Sequence, residues 1–161
     1  MDIIKPISWD KHQLYKNFWG DLPSFVEVLS DLETNLKQPN SSQHIGDMGF
    51  VTWKGERIPR IAEMLSDIQA LRPDDVCTAH IYISVVSFSK TFGRHEDFSD
   101  VFYIQGEGKT DWLIEDAGQT HHYVLEKGDM VYVPNRMFHT PTPLSPRYGI
   151  SIGFDTHTQR Q

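Results

Sequence analysis

A histidine and an aspartate stand two residues apart, His95 and Asp97, in the stretch GRHEDFSDVF over 93–102. In an extended chain, side chains two apart point to the same face. An imidazole and a carboxylate placed this way can converge on one metal ion. A third donor has to come from a distant part of the chain, and His139 is the candidate. It follows an apolar run, Met130 to Val133, and the turn-prone Pro134-Asn135-Arg136. Two histidines and one carboxylate, with coordination positions left over, form the facial donor set of non-haem Fe(II) chemistry. Mn, Co, Ni or Zn would also bind it. The open positions matter more than affinity, because they admit a bidentate cosubstrate and then O₂. A closed set of four protein ligands would indicate a structural metal instead.

Glu96 is the chief competitor for Asp97, although its parity turns it away from His95. Asp100 reads as a partner behind the ligands or as a turn residue. The other histidines fit the donor set less well. His80 lies on a predicted strand without an acid at suitable spacing. His121 and His122 are adjacent, so at most one looks inward, and surface roles are expected for both. His44 falls in a turn-like stretch, and His12 and His157 lie near the ends of the sequence. Cys77, the single cysteine, reads as a small buried side chain rather than a catalytic thiol.

The elements that must position these residues are legible in part. A short helix is expected from Asp10 or Lys11 to Phe18, capped by Asp10 and ended by Gly20. Pro23 and Ser24 precede a longer helix with Phe25, Leu29, Leu32 and Leu36 at helical spacing, ending before Pro39. Residues 40–47 read as a turn, and Phe50, Val51 and Trp53 as a short strand. Ile61, Met64, Leu65 and Ile68 mark a second helix, continued at Leu71 and broken at Pro73. From Cys77 the chain becomes strand-like. Residues 79–88 place Ile81, Ile83 and Val85 on one parity and His80, Tyr82 and Ser84 on the other. Further strands are predicted at 101–105, 110–115, 121–125, 130–133 and 147–154, several separated by Gly or Asp-Gly turns. No helix-length crossover separates them, so an antiparallel jelly roll follows. The expected organisation is one domain over 1–161, with 1–75 a helix-containing leader packed on the β core.

Composition narrows the function classes. The 161 residues are 39% hydrophobic, enough for one core. No apolar run is long enough to span a bilayer, and no secretory signal is evident. With one cysteine, a reducing cytoplasmic setting is expected. The formal net charge of -7 argues against non-specific nucleic-acid binding.

Two blocks carry a family resemblance. The run RHEDFSDVFYIQGEG over 94–108 resembles the cupin-like JmjC oxygenases, most closely the ribosomal-oxygenase branch. The run LEKGDMVYVPNRMFH over 125–139 is similar to the same branch, with its Gly-Asp turn, strand and Pro-containing loop before the distal histidine. The opening segment, with Pro6, Trp9, Phe18-Trp19-Gly20 and Pro23, is similar more weakly. The resemblance implies a double-stranded β-helix, Fe(II) held by His95, Asp97 and His139, and 2-oxoglutarate as cosubstrate. In such enzymes 2-oxoglutarate is oxidised to succinate and CO₂ while a C–H bond is hydroxylated.

The family grips the far carboxylate of 2-oxoglutarate with a Lys or Arg on the strand after the Gly-x-Gly turn. The matching position here is Thr110. Lys109 stands one residue earlier, on the opposite face unless a bulge intervenes. Arg147, opening the last predicted strand, is the best substitute, and Tyr103 is placed to add a hydroxyl hydrogen bond. Trp53, Trp112, Tyr82 and Phe138 either line a cleft or belong to the core, with the core favoured for Trp112.

The leading reading is an Fe(II)/2-oxoglutarate oxygenase hydroxylating a peptide side chain or a small molecule. The alternatives are a 2-oxoglutarate-independent metal cupin, dioxygenase or isomerase, and a non-catalytic ligand-binding cupin. A homodimer is compatible with either.

Overall fold

The computed structural model describes residues 4–46 and 48–155. Ile3 and His157 lie outside them. The large sheet has the order β1(Gln13–Tyr15)-β8(Met130–Val133)-β5(Asp100–Glu107)-β10(Arg147–Asp155)-β4(Val76–Ser84)-β3(Gly49–Trp53)-β2(Ser42–Ile45). A three-stranded sheet has the order β7(Gln119–Leu125)-β6(Thr110–Asp116)-β9(His139–Pro143). Every strand pair is antiparallel. This is the expected double-stranded β-helix, with helices α1 (Phe25–Leu36) and α2 (Pro59–Gln69) laid on the large sheet.

Strand alternation builds two separate interiors. On β5, Phe102 and Ile104 join Ile81 and Ile83 of β4 and Ile150, Ile152 and Phe154 of β10 under the helices. The opposite parity of β5 places Tyr103 between the sheets, with Trp112, Ile114, Leu125, Val131 and Val133. Because side chains alternate with period two, the central strands of the large sheet support helices on one side and a site on the other.

Local chemistry explains the helices. Ser24 closes a capping box on α1: its hydroxyl accepts from the Glu27 amide (3.2 Å), and the Glu27 carboxylate accepts from the Ser24 amide (2.8 Å). Pro59 opens α2, where its missing N–H leaves nothing unpaired. Ile61, Met64 and Ile68 of α2 are fully buried. The α1 face differs from the expected stripe. Val28, Leu32 and Asn35 are buried, whereas Leu29 and Leu36 are exposed. The Tyr148 hydroxyl donates to the Pro23 carbonyl, and Phe25 packs on the Tyr148 ring. Those contacts set the rotation at which the helix enters.

Three elements depart from expectation. The stretch 10–18 is not a helix, and Gln13–Tyr15 instead forms β1 against β8. A helix that short has little stability of its own, while the edge of β8 offers unpaired backbone groups and Tyr15 gains a buried site. Residues 42–45 form edge strand β2 rather than a turn, with Ile45 buried and Gln43 and His44 left polar and exposed. Strand β9 contains Pro141 and Pro143, which hid it in the sequence. Proline is tolerated there because β9 is an edge of the small sheet. Neither helix among the described residues is long and apolar enough to cross a membrane.

Candidate metal centre

His95 and His139 form an isolated antiparallel bridge. The His95 amide donates to the His139 carbonyl (3.0 Å), and the His139 amide donates back to the His95 carbonyl (2.8 Å). Residues directly opposite in such a pair share a face, and the two imidazole centroids lie 4.3 Å apart. The extended step from His95 brings the Asp97 carboxylate to the same point. One oxygen lies 3.8 Å from His95 Nε2, and the other lies 3.4 Å from His139 Nε2. One donor atom from each of the three residues falls within 4.8 Å of the others, a group able to hold a metal ion.

The ring orientations suit ligation. His95 Nδ1 lies 2.8 Å from the Gly93 carbonyl, and His139 Nδ1 lies 2.9 Å from the Met137 carbonyl. A carbonyl only accepts, so each Nδ1 carries the proton and each Nε2 keeps its lone pair for a cation. Burial holds the His139 pKa below the ordinary imidazole value, with the neighbouring His95 adding to the effect. The neutral form is the ligating form. Trp112 stacks on the His139 ring at 5.2 Å and 20°.

Supporting residues aim the ligands. Gly93 has φ +70, a left-handed conformation that suits glycine. Asp100 accepts from the Asn135 amide (2.9 Å) and side chain (3.0 Å), and it pairs with Arg72. It thereby anchors the loop that delivers His139. Glu96 turns outward to Arg136 (3.2 Å) and is not part of the group.

A cavity opens beside the three residues, lined among others by Tyr82, Phe92, Tyr103, Trp112 and Arg147. Arg147 is 3% exposed. Its Nη1 donates to the Tyr103 hydroxyl (2.9 Å), which donates to Gln105 Oε1 (3.2 Å). Arg147 Nε is buried without a hydrogen-bond partner, and no carboxylate among the described residues pairs with this guanidinium. Trp112 Nε1 is likewise unpartnered. A buried cation facing a cavity with donors to spare is a site for an anionic group.

A model of the JmjC domain matches residues 57–122 and 113–161. The chain belongs to the JmjC domain family. No curated protein matches it by sequence. Among solved structures it is similar to YcfD, a ribosomal oxygenase from Escherichia coli, in complex with cobalt and 2-oxoglutarate. That likeness has a TM-score of 0.76 and 20% identity over 96% of this chain and 51% of that one. The same oxygenase with cobalt and succinic acid gives 0.77 and 19% over 96% and 51%. The chain thus spans about half the length of these relatives, and the likeness carries the fold.

Within this JmjC chain, the residues named for cosubstrate contact separate clearly. Arg147 and Tyr103 reach the cavity. Lys109 does not: it is exposed and pairs with Glu126 at 2.7 Å. The register shift that exists lies between Tyr148 and Gly149, opposite Gly106, in the pairing of β10 with β5. Thr110 is buried with an unpartnered hydroxyl but does not line the cavity. Tyr82 and Trp112 line it, whereas Trp53 packs on His80 and Phe138 lies beneath Arg94.

Two predictions arise here. A Cβ on Gly149 would overlap the Tyr103 ring and hydroxyl. Gly149→Ala is therefore expected to displace Tyr103 from Arg147 and lower stability by about 1–3 kcal/mol, read by urea unfolding. Burial and the Asp155 carboxylate push the Cys77 thiol up to about 12. Native protein should resist iodoacetamide at neutral pH and react once unfolded.

The sequence reading missed one feature entirely. His12, Asp116 and His121 form a second group whose donor atoms lie within 4.8 Å of one another. His121, expected at the surface, is half-buried, and nothing in the spacing links it to His12.

Proposed function

We propose that the chain is an Fe(II)- and 2-oxoglutarate-dependent oxygenase that hydroxylates a peptide side chain or a small molecule. The observation that carries this reading is the buried, acid-free guanidinium of Arg147 in the same cavity as His95, Asp97 and His139. The donor chemistry fits both a divalent iron and a dicarboxylate cosubstrate. Two imidazoles with free Nε2 atoms and one carboxylate suit a divalent iron with positions left over. The unpartnered Arg147 nitrogen suits a dicarboxylate.

When bound, the iron and 2-oxoglutarate supply the oxidation, converting O₂ and the oxo acid to succinate, CO₂ and a hydroxylated product. The protein's own residues bind and orient. Gly93 and Met137 carbonyls hold the two imidazoles in their ligating tautomer. Arg147 takes the far carboxylate, with the Tyr103 hydroxyl fixing its plane. Trp112 keeps water from one side of His139, and Phe92 and Tyr82 form the apolar wall facing substrate. YcfD, called a ribosomal oxygenase, supports a protein side chain as one substrate class.

We read residues 1–161 as one unit, because the leader's Val28, Leu32, Ile61 and Met64 share a core with Ile81, Phe102 and Ile150. A 2-oxoglutarate-independent cupin would leave the Arg147 charge buried without a purpose. The test is succinate formation by anaerobically prepared protein given Fe(II), 2-oxoglutarate and O₂. Turnover above the metal-free control supports the reading. Failure of 2-oxoglutarate to bind the Fe(II)-loaded protein, followed by calorimetry, would remove it even if a prime substrate is needed for turnover.

A further inference from the structure

The second histidine–aspartate group has the layout of a metal site in its own right. His12 immediately precedes β1, at the edge of the large sheet. Asp116 and His121 lie across the β6–β7 hairpin of the small sheet. In its register Asp116 faces Gln119 and Ile114 faces His121, so Asp116 and His121 project from the same face. Folding of the leader brings His12 over that face. The His12 and His121 ring centroids are 4.3 Å apart, and His12 Nε2 lies 3.8 Å from Asp116 Oδ2.

A second observation points to a ligand. His12 Nδ1 lies 3.1 Å from the Tyr123 hydroxyl. That contact occupies one ring nitrogen with an oriented partner and leaves Nε2 turned toward Asp116 and His121. Metal-ligating histidines characteristically have their other nitrogen held in this way. The His12 side chain is only 8% exposed, so its ring is held by its surroundings rather than free in solvent. Tetrahedral zinc ligands lie about 3.4 Å apart, given bond lengths near 2.1 Å. Small side-chain rotations would bring the three donors to that spacing.

We propose that His12, Asp116 and His121 form a second divalent-metal site that fastens the leader to the β6–β7 hairpin. The site joins the two sheets of the fold. It is also close to the first centre. Ile114 is paired with His121 on one side and His139 on the other, which sets those histidines two strand spacings apart, about 10 Å. Ile114 is fully buried between them. A metal at the second site thus stiffens the strand against which His139 is registered. This inference does not depend on the first centre's being an oxygenase site.

Equilibrium dialysis of chelator-stripped full chain against micromolar free Zn(II) tests it. Wild type is expected to hold two equivalents, and His95→Ala combined with Asp97→Ala one. His121→Gln and, separately, Asp116→Asn should each remove one equivalent from wild type and the last one from the double variant. Asp116 is at the hairpin end and partly exposed, so it provides a second variant should the histidine change disturb folding, which far-UV circular dichroism reports. In the double variant, Zn(II) should also raise the melting temperature by roughly 5 °C, a rise lost with Asp116→Asn. A double variant that holds no equivalent overturns the proposal. So does a second equivalent that survives both substitutions.

Discussion

Asp97→Ala is expected to abolish Fe(II)-dependent succinate formation while leaving the fold in place. The carboxylate is the one anionic donor of the group and lies between both Nε2 atoms. Loss of an outer partner alone costs about 10–100-fold in metal affinity or activity. Loss of the ligand itself should therefore lower turnover by at least about 100-fold. The side chain is 37% exposed, so truncation opens no cavity in the core. Its backbone carbonyl still accepts from the Arg136 amide (2.7 Å) and continues to hold the neighbouring loop. Melting in the absence of metal should thus match wild type within a few degrees. Succinate formation at the wild-type rate in this variant would remove the triad.

The second large effect is expected at Arg147. Its guanidinium is buried, bonded to the Tyr103 hydroxyl, and free of any carboxylate among the described residues. Truncating one partner of a buried, hydrogen-bonded charge pair costs about 2–5 kcal/mol. Arg147→Met should therefore raise the KM for 2-oxoglutarate by roughly 30-fold or more, with Fe(II) affinity unchanged. Stability without ligand should move the other way or hold, because an apolar side chain of similar length replaces a buried unpaired charge. Arg147→Lys should recover little, since an ammonium lacks the planar fork that matches a carboxylate. A 2-oxoglutarate titration of each variant, followed by turnover and by melting temperature, separates binding from folding. An unchanged KM in Arg147→Met would place the carboxylate elsewhere.

These effects bear on a departure from the family pattern. The strand after the Gly-x-Gly turn has Thr110 where the resemblance leads one to expect a cation. The Arg147 guanidinium that lines the cavity comes from β10, a strand hydrogen-bonded to β5 on one side and β4 on the other.

How much was legible beforehand depended on whether the physics was local. Alternation in β4 and β5 sorted residues between helix-facing core and site, because pleating fixes the face of every second residue. Pro23 and Ser24 ahead of an apolar stripe marked the start of α1, because capping and helical spacing are local. His95 and Asp97 could be read as a pair because extended geometry alone sets them on one face, and the two blocks around them and His139 carried the family.

Other features were decided by contacts distant in sequence. Residues 13–15 became a strand because the edge of β8 offered backbone partners, and β9 formed despite two prolines because it lies at an edge. The carbonyls that orient His95 and His139 belong to Gly93 and Met137, and a backbone carbonyl leaves no mark in residue type. Lys109 and Arg147 both offered a cation, and tertiary contacts separated them: Lys109 pairs with Glu126 at the surface, whereas Arg147 is buried at the cavity. His12 met His121 and Asp116 solely because the leader closes across the sheet ends. The sequence alone determined which residues could act as ligands and which faces they shared along one strand. Tertiary structure decided which strands met, since that depends on the free energy of burying one surface against another rather than on any single segment.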